Sequence, residues 1–466
     1  MLHLYNDLTQ TLEPFTPRDI PVTLYVCGIT PYDTTHLGHA FTYTSFDILV
    51  RYLEWQRIPV RYVQNVTDVD DDILRRARQV GEDWRALGNR WVRRYIEDME
   101  ALNVRPPDVF PRATEAIGDM VQVIERLVER GYAYVSGGSV YYRSRLAPFG
   151  KLSRLPPEDW LRIASERGNV ATDPNKESPL DFVLWQAQAP GEPAWPSPWG
   201  PGRPGWHIEC STLSALHLGP RLDIHGGGGD LAFPHHESEI AQAESSTEEA
   251  PFARYWLHTG MLCYQGAKMS KSLGNLVMVS DLLRDYSANA LRLHLASHHY
   301  REPWGHDEAA LRRVAAMVGR WEEASRAGSL AVDRSVAEER QADFVAAMDD
   351  DLDTPRAVRV LDGLARAILT GAAQGVKGSP SAPPPLPATP RRRFGSGEPR
   401  LRRTLLSRSR CREPWSTQEK DEVYRGQTTL RDLAGILGLR LGQVGLEPRV
   451  IEGWQAHKAR FGPPDL

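Results

Sequence analysis

Residues 22–39 read VTLYVCGITPYDTTHLGH and contain the clearest pattern of secondary structure in the chain. Residues 22–27 are rich in β-branched and aromatic side chains, which predicts a strand, and a glycine and a proline follow it. A helical pattern then begins near His36. A second apolar run, residues 60–66, follows at the interval of a βαβ unit. This order of elements predicts an α/β fold with a doubly wound, Rossmann-like parallel sheet.

Sheets of this kind bind ligands in a crevice beyond the carboxyl ends of their strands. Cys27 stands at the end of the first predicted strand, and Thr67 directly follows the second. We therefore expect both residues to lie at one ligand crevice.

A chain of 466 residues is too long for one ordinary core, so we expect several domains. The expected division is a Rossmann-like catalytic domain at 1–280 with an insertion at about 115–205, a connector at 281–311 and a helical domain at 312–466. We also expect irregular structure at 156–204, one amphipathic helix at 343–369 and a further helix at 429–441.

Composition excludes some classes of protein. Hydrophobic residues make up 41% and charged residues 25%, as in soluble globular proteins, and no apolar run approaches the roughly 20 residues of a membrane helix. The N-terminus has no secretory signal. We therefore expect a cytoplasmic protein without a membrane partner. The net charge of −4 neither identifies nor excludes a nucleic-acid partner, because a local basic patch can be hidden in the total.

A His-Leu-Gly-His motif, residues 36–39, follows the first strand and opens the helix. Cleavage of a phosphoanhydride bond needs donors aimed at phosphate oxygens, and a helix N-terminus with the imidazoles of His36 and His39 supplies them. Gly38 would let a nucleotide approach the backbone closely. Alone, the motif is a weak signal, because two ordinary surface histidines on a helix are the commoner explanation of such a match.

A Lys-Met-Ser-Lys-Ser motif occupies residues 268–272. Lys268 and Lys271, on a mobile loop of small residues, can close over a triphosphate and neutralise charge as pyrophosphate leaves. A solvated basic loop is the alternative. Together, in this order and roughly 230 residues apart, the two motifs resemble the signature of class I aminoacyl-tRNA synthetases.

The cysteines are too few and too scattered for a disulfide framework, which leaves free thiols or metal ligands: Cys27, Cys210, Cys263 and Cys411. His235 and Glu239 are four residues apart, so a helix beginning after Pro234 would present both on one face. Two thiolates, an imidazole and a carboxylate suit zinc. The long separation of Cys27 from Cys210 favours a site assembled at the crevice, although two inert buried cysteines remain the alternative.

Six stretches resemble the cysteinyl-tRNA synthetase family: residues 25–33, 64–71, 205–210, 233–242, 268–275 and 348–355. The similarity runs from about residue 4 to residue 368. The resemblance implies one zinc ion per chain, held by the residues that match the family's ligands: Cys27, Cys210, His235 and Glu239. In the family this zinc binds the substrate thiolate, which distinguishes cysteine from serine without a separate editing site.

The resemblance also implies roles for individual residues. Trp206 and Thr67 would contact the amino acid. The residues expected to contact ATP or the adenylate are Thr30, Gly38, Thr42, Thr67, Gly228, Asp230 and Lys271. The residues expected to stabilise charge on the phosphates are His36, His39, Lys268 and Lys271, with Mg²⁺ bound to ATP. The implied substrates are ATP, L-cysteine and cysteine tRNA, and we expect a monomer.

Two rival interpretations remain. The sequence also resembles the mycothiol-pathway cysteine ligases, which make the same adenylate but transfer cysteine to an amino-sugar inositol. Glu239 and the Lys-Ser-Leu-Gly-Asn form of residues 271–275 favour the synthetases. An inactive RNA-binding homologue is the other alternative, against which the intact lysines and ligands argue.

The C-terminal part departs from the family. Residues 371–390 are rich in Gly, Ala, Pro and Ser, and residues 391–412 carry nine arginines and a single acid, Glu398. Such a composition predicts disorder over 371–413. The alternatives are a basic tether that contacts tRNA phosphates and a stretch, from 378 to about 413, translated from a shifted reading frame.

Overall fold

The computed structural model describes residues 1–32, 35–269, 274–327, 332, 334–375, 426–443 and 447–461. Lys271 and most of the stretch expected to be disordered lie outside these ranges. The strands of the described residues are β1 His3–Asn6, β2 Thr11–Pro14, β3 Val22–Ile29, β4 Val60–Val66, β5 Ala133–Ser136, β6 Ser139–Tyr142, β7 Phe182–Ala187, β8 Gly202–Pro204, β9 Leu222–Gly228, β10 Ala253–Thr259, β11 Leu262–Tyr264, β12 Ala267–Lys268 and β13 Trp304–Gly305.

The helices of the same residues are α1 Leu37–Trp55, α2 Asp71–Val80, α3 Trp84–Ala101, α4 Ile117–Glu129, α5 Pro157–Glu166, α6 Trp206–Leu218, α7 Glu237–Thr247, α8 Val279–Asp285, α9 Ala288–Ala296, α10 Glu308–Arg326, α11 Arg334–Met348, α12 Thr354–Gly375, α13 Gly426–Ile436 and α14 Pro448–Lys458. Within the described residues, no helix combines the length and the apolar character needed to cross a membrane.

The central sheet is parallel and has the strand order β10-β9-β3-β4. Helix α1 connects β3 to β4, and α7 connects β9 to β10. The order of the strands reverses between β3 and β9, so their carboxyl ends border the crevice in which such sheets bind ligands. The predicted α/β fold with a Rossmann-like parallel sheet is therefore confirmed.

Side chains of β3 alternate between two cores. Leu24 and Val26 pack in a core that contains α1, whereas Tyr25 and Cys27 pack in a second core that contains residues of α6 and α7. Successive strand residues point to opposite faces of a sheet. The alternation therefore places Cys27 on the face that also carries Cys210.

The end of β3 is irregular at Cys27 and Gly28, where its register against β4 shifts. The Gly28 N–H donates to Asn65 Oδ1 at 2.7 Å, and a Cβ at position 28 would lie 1.6 Å from the Asn65 carbonyl oxygen. A side chain at this position would clash with the backbone of β4, so the close approach requires glycine.

The expectation of irregular structure at 156–204 is wrong in part. This stretch contains α5 and strands β7 and β8, which join the hairpin β5–β6 in an antiparallel sheet of order β5-β6-β7-β8. The strands are short and their partners are distant in sequence. Local composition rich in Pro, Gly and Trp therefore did not reveal them.

The prediction of a single helix at 343–369 is also wrong. The structure breaks it into α11 and α12, with Asp351 between them in a left-handed conformation at φ 53°. The Asp351 carboxylate accepts hydrogen bonds from the Tyr5 N–H at 2.8 Å and the Tyr300 hydroxyl at 2.7 Å. These bonds connect the break to distant parts of the chain, which the helical periodicity of the sequence cannot show.

The C-terminal segment, residues 426–443 and 447–461, packs on the rest of the chain. The helix expected at 429–441 is observed as α13, which ends at Ile436 and contacts chiefly α10, α11 and α12, whereas α14 packs against α3. Trp454 of α14 is fully buried beside Tyr95 and Phe110, and its indole N–H donates to the Val104 carbonyl oxygen at 2.8 Å. Phe461 also contacts Phe110. Aromatic packing thus stabilises the contact of α14 and Phe461 with α3 and Phe110.

Candidate metal and nucleotide site

A cavity of about 320 Å³ opens at the carboxyl ends of β3, β4 and β9. It is lined by most of the residues that the sequence indicated: Cys27, Thr30, His36, Gly38, His39, Thr42, Thr67, Trp206, Cys210, Gly228, Asp230 and His235. Glu239 is fully buried beneath this lining. Cys27 and Glu239, which are 212 positions apart in the sequence, therefore meet at one crevice.

The His-Leu-Gly-His motif forms the start of α1. His36 caps the helix, its Nδ1 accepting the His39 N–H at 3.3 Å, and the two imidazoles stack with centroids 3.7 Å apart. The segment after the lysine motif holds this helix start, because the Leu37 N–H donates to the Val277 carbonyl oxygen at 2.8 Å. The dipole of a helix N-terminus together with two imidazoles favours the binding of phosphate oxygens.

The lysine motif reaches the same cavity through Met269, which lines it. Lys268 belongs to strand β12, paired with Cys263 of β11, and so directly precedes the lining residue. Lys271 lies outside the described residues. Thr42 shares a hydrogen bond of 2.8 Å with Thr259, a lining residue that sequence reasoning missed.

The four expected metal ligands form one cluster. The ligand atoms of Cys27, Cys210, His235 and Glu239 all lie within 4.8 Å of one another. Glu239 Oε1 is 3.1 Å from His235 Nε2 and 3.4 Å from Cys27 Sγ. Every one of these side chains is at most 4% exposed. Two thiols, an imidazole and a carboxylate in a compact buried group match the donor set and coordination number of a zinc site.

The electrostatics of the cluster also fit a cation. Burial, and then the neighbouring Cys210 and Glu239, raise the pKa of Cys27 well above its ordinary value, and burial raises the pKa of Glu239. Burial lowers the pKa of His235 far below its usual range, so its imidazole is neutral and offers a lone pair. A divalent cation would allow the thiols and the carboxyl to ionise together.

The helix expected to begin after Pro234 is present. Ala232–His236 form a π-helical turn in which only Phe233 has a non-helical conformation, and α7 continues from Glu237, so His235 and Glu239 lie on one helical face. The Glu237 carboxylate accepts the N–H groups of Gly150, Leu152 and Ser153 at 2.7–2.9 Å. These bonds to the insertion anchor the start of α7 and thereby help to fix the turn that carries His235.

Several imidazoles behind the cluster were missed from the sequence. His225 Nε2 is 2.9 Å from Glu239 Oε2, and His236 Nε2 is 3.3 Å from Cys27 Sγ. A chain of hydrogen bonds continues from His236 to His258 at 2.8 Å and from His258 to Asp7 at 2.6 Å. His225 before the glycine run and the His-His pair at 235–236 were usable signals, whereas nothing in the sequence marked Asp7.

A second cavity of about 620 Å³ adjoins the first and shares Thr30, Tyr32, Trp206 and Asp230 with it. Most of its lining residues lie between positions 149 and 207, and others lie at positions 69–75. Arg167 of the insertion forms an ion pair with Asp230 at 3.3 Å. The expected nucleotide contact Asp230 thus stands between the two cavities.

Comparison with known proteins places this chain in a family. The family described as tRNA synthetases class I (C) catalytic domain matches residues 14–316. Proteins named cysteine–tRNA ligase are 50% identical over 372 residues in Thioalkalivibrio sulfidiphilus, covering 79% of this chain and 80% of the relative, and 49% identical in Alkalilimnicola ehrlichii, covering 79% of each. The relative from Shewanella oneidensis is 45% identical over 370 residues, covering 79% of this chain and 80% of the relative.

Solved structures agree at the level of the fold. Methionyl-tRNA synthetase of Mycobacterium tuberculosis, in complex with methionyl-adenylate, superimposes with a TM-score of 0.58 at 16% identity, covering 95% of this chain and 93% of the other. The residues matched by the family, 14–316, include the lining of the crevice and both nucleotide motifs. This chain therefore belongs to the class I (C) tRNA synthetase catalytic-domain family.

Proposed function

We propose that this protein is a cysteine–tRNA ligase, which activates L-cysteine with ATP and transfers it to the 3′ end of cysteine tRNA. One observation carries the proposal: the cluster of Cys27, Cys210, His235 and Glu239 borders the same cavity as the nucleotide motif at 36–39. An amino-acid site and an ATP site at one crevice are what adenylate formation needs. The relatives that share 45–50% identity carry the name of this activity.

Selection of cysteine is assigned to the cluster. Bound there, zinc would supply a thiophilic position for the substrate thiolate, which the hydroxyl of serine fills far more weakly. Trp206 stacks on His235 with centroids 4.3 Å apart and lines the cavity, so its indole closes one side of the amino-acid site. Thr67, at the end of β4, lines the same space.

Activation is assigned to the nucleotide motifs. The carboxylate of cysteine attacks the α-phosphorus of ATP, and pyrophosphate leaves. His36 and His39 would donate hydrogen bonds to the phosphates, with Lys268 and Lys271 neutralising the charge that develops. Mg²⁺ enters as part of the MgATP substrate. The remaining expected adenylate contacts also line the cavity, which supports this assignment: Thr30, Gly38, Thr42, Gly228 and Asp230.

The second step needs no nucleophile from the protein. The terminal ribose hydroxyl of tRNA attacks the adenylate carbonyl, and AMP is the leaving group. We propose that the chain acts as a monomer, which sedimentation of the purified protein would test.

Two assays on one preparation test the proposal. We expect cysteine to drive exchange of labelled pyrophosphate into ATP, and labelled cysteine to become attached to tRNA. Serine is the matched control, because it differs from cysteine by one atom. Exchange without tRNA charging, or no cysteine-dependent exchange at all, would contradict the proposed activity.

A further inference from the structure

His207, the second residue of α6, contacts a metal ligand directly. Its Nδ1 is 2.9 Å from Nδ1 of His235, whereas Nε2 of His235 is the nitrogen near Glu239. His207 is 8% exposed and is wedged against Phe182, whose ring lies edge-on to it at 5.4 Å. The proposed function gives this residue no role.

The contact constrains where the protons lie. Two nitrogens at 2.9 Å form a hydrogen bond only if one of them carries a proton and the other does not. A metal ion takes the lone pair of an imidazole nitrogen, so if Nε2 of His235 binds the metal, the proton of that ring belongs on Nδ1. Nδ1 of His207 must then be the acceptor, with the proton of His207 on its Nε2.

The surroundings make this arrangement rigid. Trp206 stacks on His235 with an interplanar angle of 18°, which limits rotation of that ring. His207 follows Trp206 at the start of α6, the helix that also carries Cys210. The acceptor for His235 and one of the thiol ligands are thus held by the same helix, three residues apart.

We infer that His207 is a positioning residue for the metal centre: by accepting the Nδ1–H of His235, it fixes the tautomer and the ring orientation that turn Nε2 toward the cluster. The inference rests on the proposed function, because it needs a metal at the four-residue cluster. Partners of this kind orient metal-binding imidazoles and make them stronger ligands.

Substitutions at position 207 separate an acceptor from mere packing. In His207→Asn the amide oxygen can stand near the former Nδ1 and accept the same proton. His207→Leu keeps much of the volume but offers no acceptor, and His207→Gln places its amide one bond farther out. His217→Leu is the matched control, because it makes the same change ten residues along α6, about 15 Å away at 1.5 Å per residue.

The measurement is zinc affinity of the full chain, by competition with a chromophoric chelator, together with the visible spectrum of the Co²⁺ form. We expect His207→Leu to weaken zinc binding roughly 10–100-fold, as loss of such partners does elsewhere. Asn should recover most of this affinity and the wild-type Co²⁺ spectrum, Gln should recover less, and His217→Leu should match the wild type. The comparison of Asn with Gln stands even if the Leu variant does not fold.

Three results would overturn the inference. Wild-type zinc affinity in His207→Leu would show that His207 only fills space. Equal losses in Asn, Gln and Leu would show that the acceptor is irrelevant. Absence of tight zinc binding in the wild type itself would reject the metal site of the proposed function, and the role of His207 with it, so the two failures are distinguishable.

Discussion

Two regions of the molecule are held together by different interactions. One is the metal and nucleotide crevice, and the other is the C-terminal segment that carries Trp454. At the crevice, polar and ionisable side chains converge at strand ends, and burial moves the pKa values of several of them far from the ordinary ones, as it does for Cys27. In the C-terminal segment, Trp454 and Phe461 are buried against Phe110. Substitutions in the first region should therefore reduce activity, and substitutions in the second region should reduce stability.

The largest effect is expected at the cluster. Cys210→Ala removes one of four ligands, so we expect loss of bound metal and a fall in cysteine activation greater than the roughly 100-fold caused by losing a ligand's hydrogen-bond partner. When both proteins are metal-free, the variant should have an unfolding free energy only about 1 kcal/mol below that of the wild type. Metal analysis and pyrophosphate exchange check the first expectation, and chemical denaturation checks the second.

Cys263→Ala is the control for this change. Cys263 lies in β11, only partly buried and outside the cluster, so the same substitution there should leave metal content unchanged. Equal metal content in the Cys210 and Cys263 variants would contradict the assignment of the cluster.

Trp454→Ala tests the other region. Removal of a fully buried tryptophan should lower the free energy of unfolding by about 3–5 kcal/mol, whereas activity per folded molecule should persist. Denaturant titration gives the stability, and active-site titration gives the folded fraction. The exposed neighbour Gln455 provides the control, since Gln455→Ala should change neither quantity. Unchanged stability in the Trp454 variant would mean that the segment does not dock in solution.

Gly453→Ala should have a smaller effect of the same kind. An added Cβ would lie 2.3 Å from Pro106 Cγ, and such overpacking costs about 1–3 kcal/mol, against a gain of up to about 1 kcal/mol in helix propensity. Gly435→Ala in α13 makes the same change where nothing lies within 4 Å of the new Cβ, so it should stabilise the protein. A gain in melting temperature for both variants would argue against close packing at Pro106.

Much of the crevice was predictable because each functional residue stands in a local motif attached to a strand end or a helix start. Cys27 and His36 belong to one such motif, and the parallel order of the strands brings it to Cys210 and His235. The docking of Trp454 was not predictable, since its partners are more than 300 residues away and its helix carries no matching signal. The same holds for the break at Asp351, which distant hydrogen bonds stabilise.

A further effect depends on pH and concerns the wall of the second cavity. Burial raises the pKa of Asp70 to about 6, so the folded protein binds this proton more tightly than the unfolded chain, whose aspartates titrate near 3.9. That contribution to stability is present below about pH 4 and is lost as the pH rises through 6. Asp70→Asn does not titrate and can still cap α2, where Asp70 accepts the Asp72 N–H at 2.8 Å.

We therefore expect Asp70→Asn to unfold with the wild type near pH 4 and to be the more stable protein at pH 8. The gain is up to about 1.4 kcal/mol for each unit of the pKa shift. Denaturant titrations at the two pH values measure it. A difference that is the same at both would show that Asp70 titrates normally.

We propose that the buried cluster selects the amino acid, so the preference for cysteine over serine in pyrophosphate exchange should depend on the bound metal. The preference should be measured in the protein as purified, after removal of metal by a chelator, and after zinc is returned. We predict strong preference for cysteine in the first state, loss of cysteine activation in the second and recovery in the third. Undiminished preference for cysteine in the metal-free protein would contradict the claim.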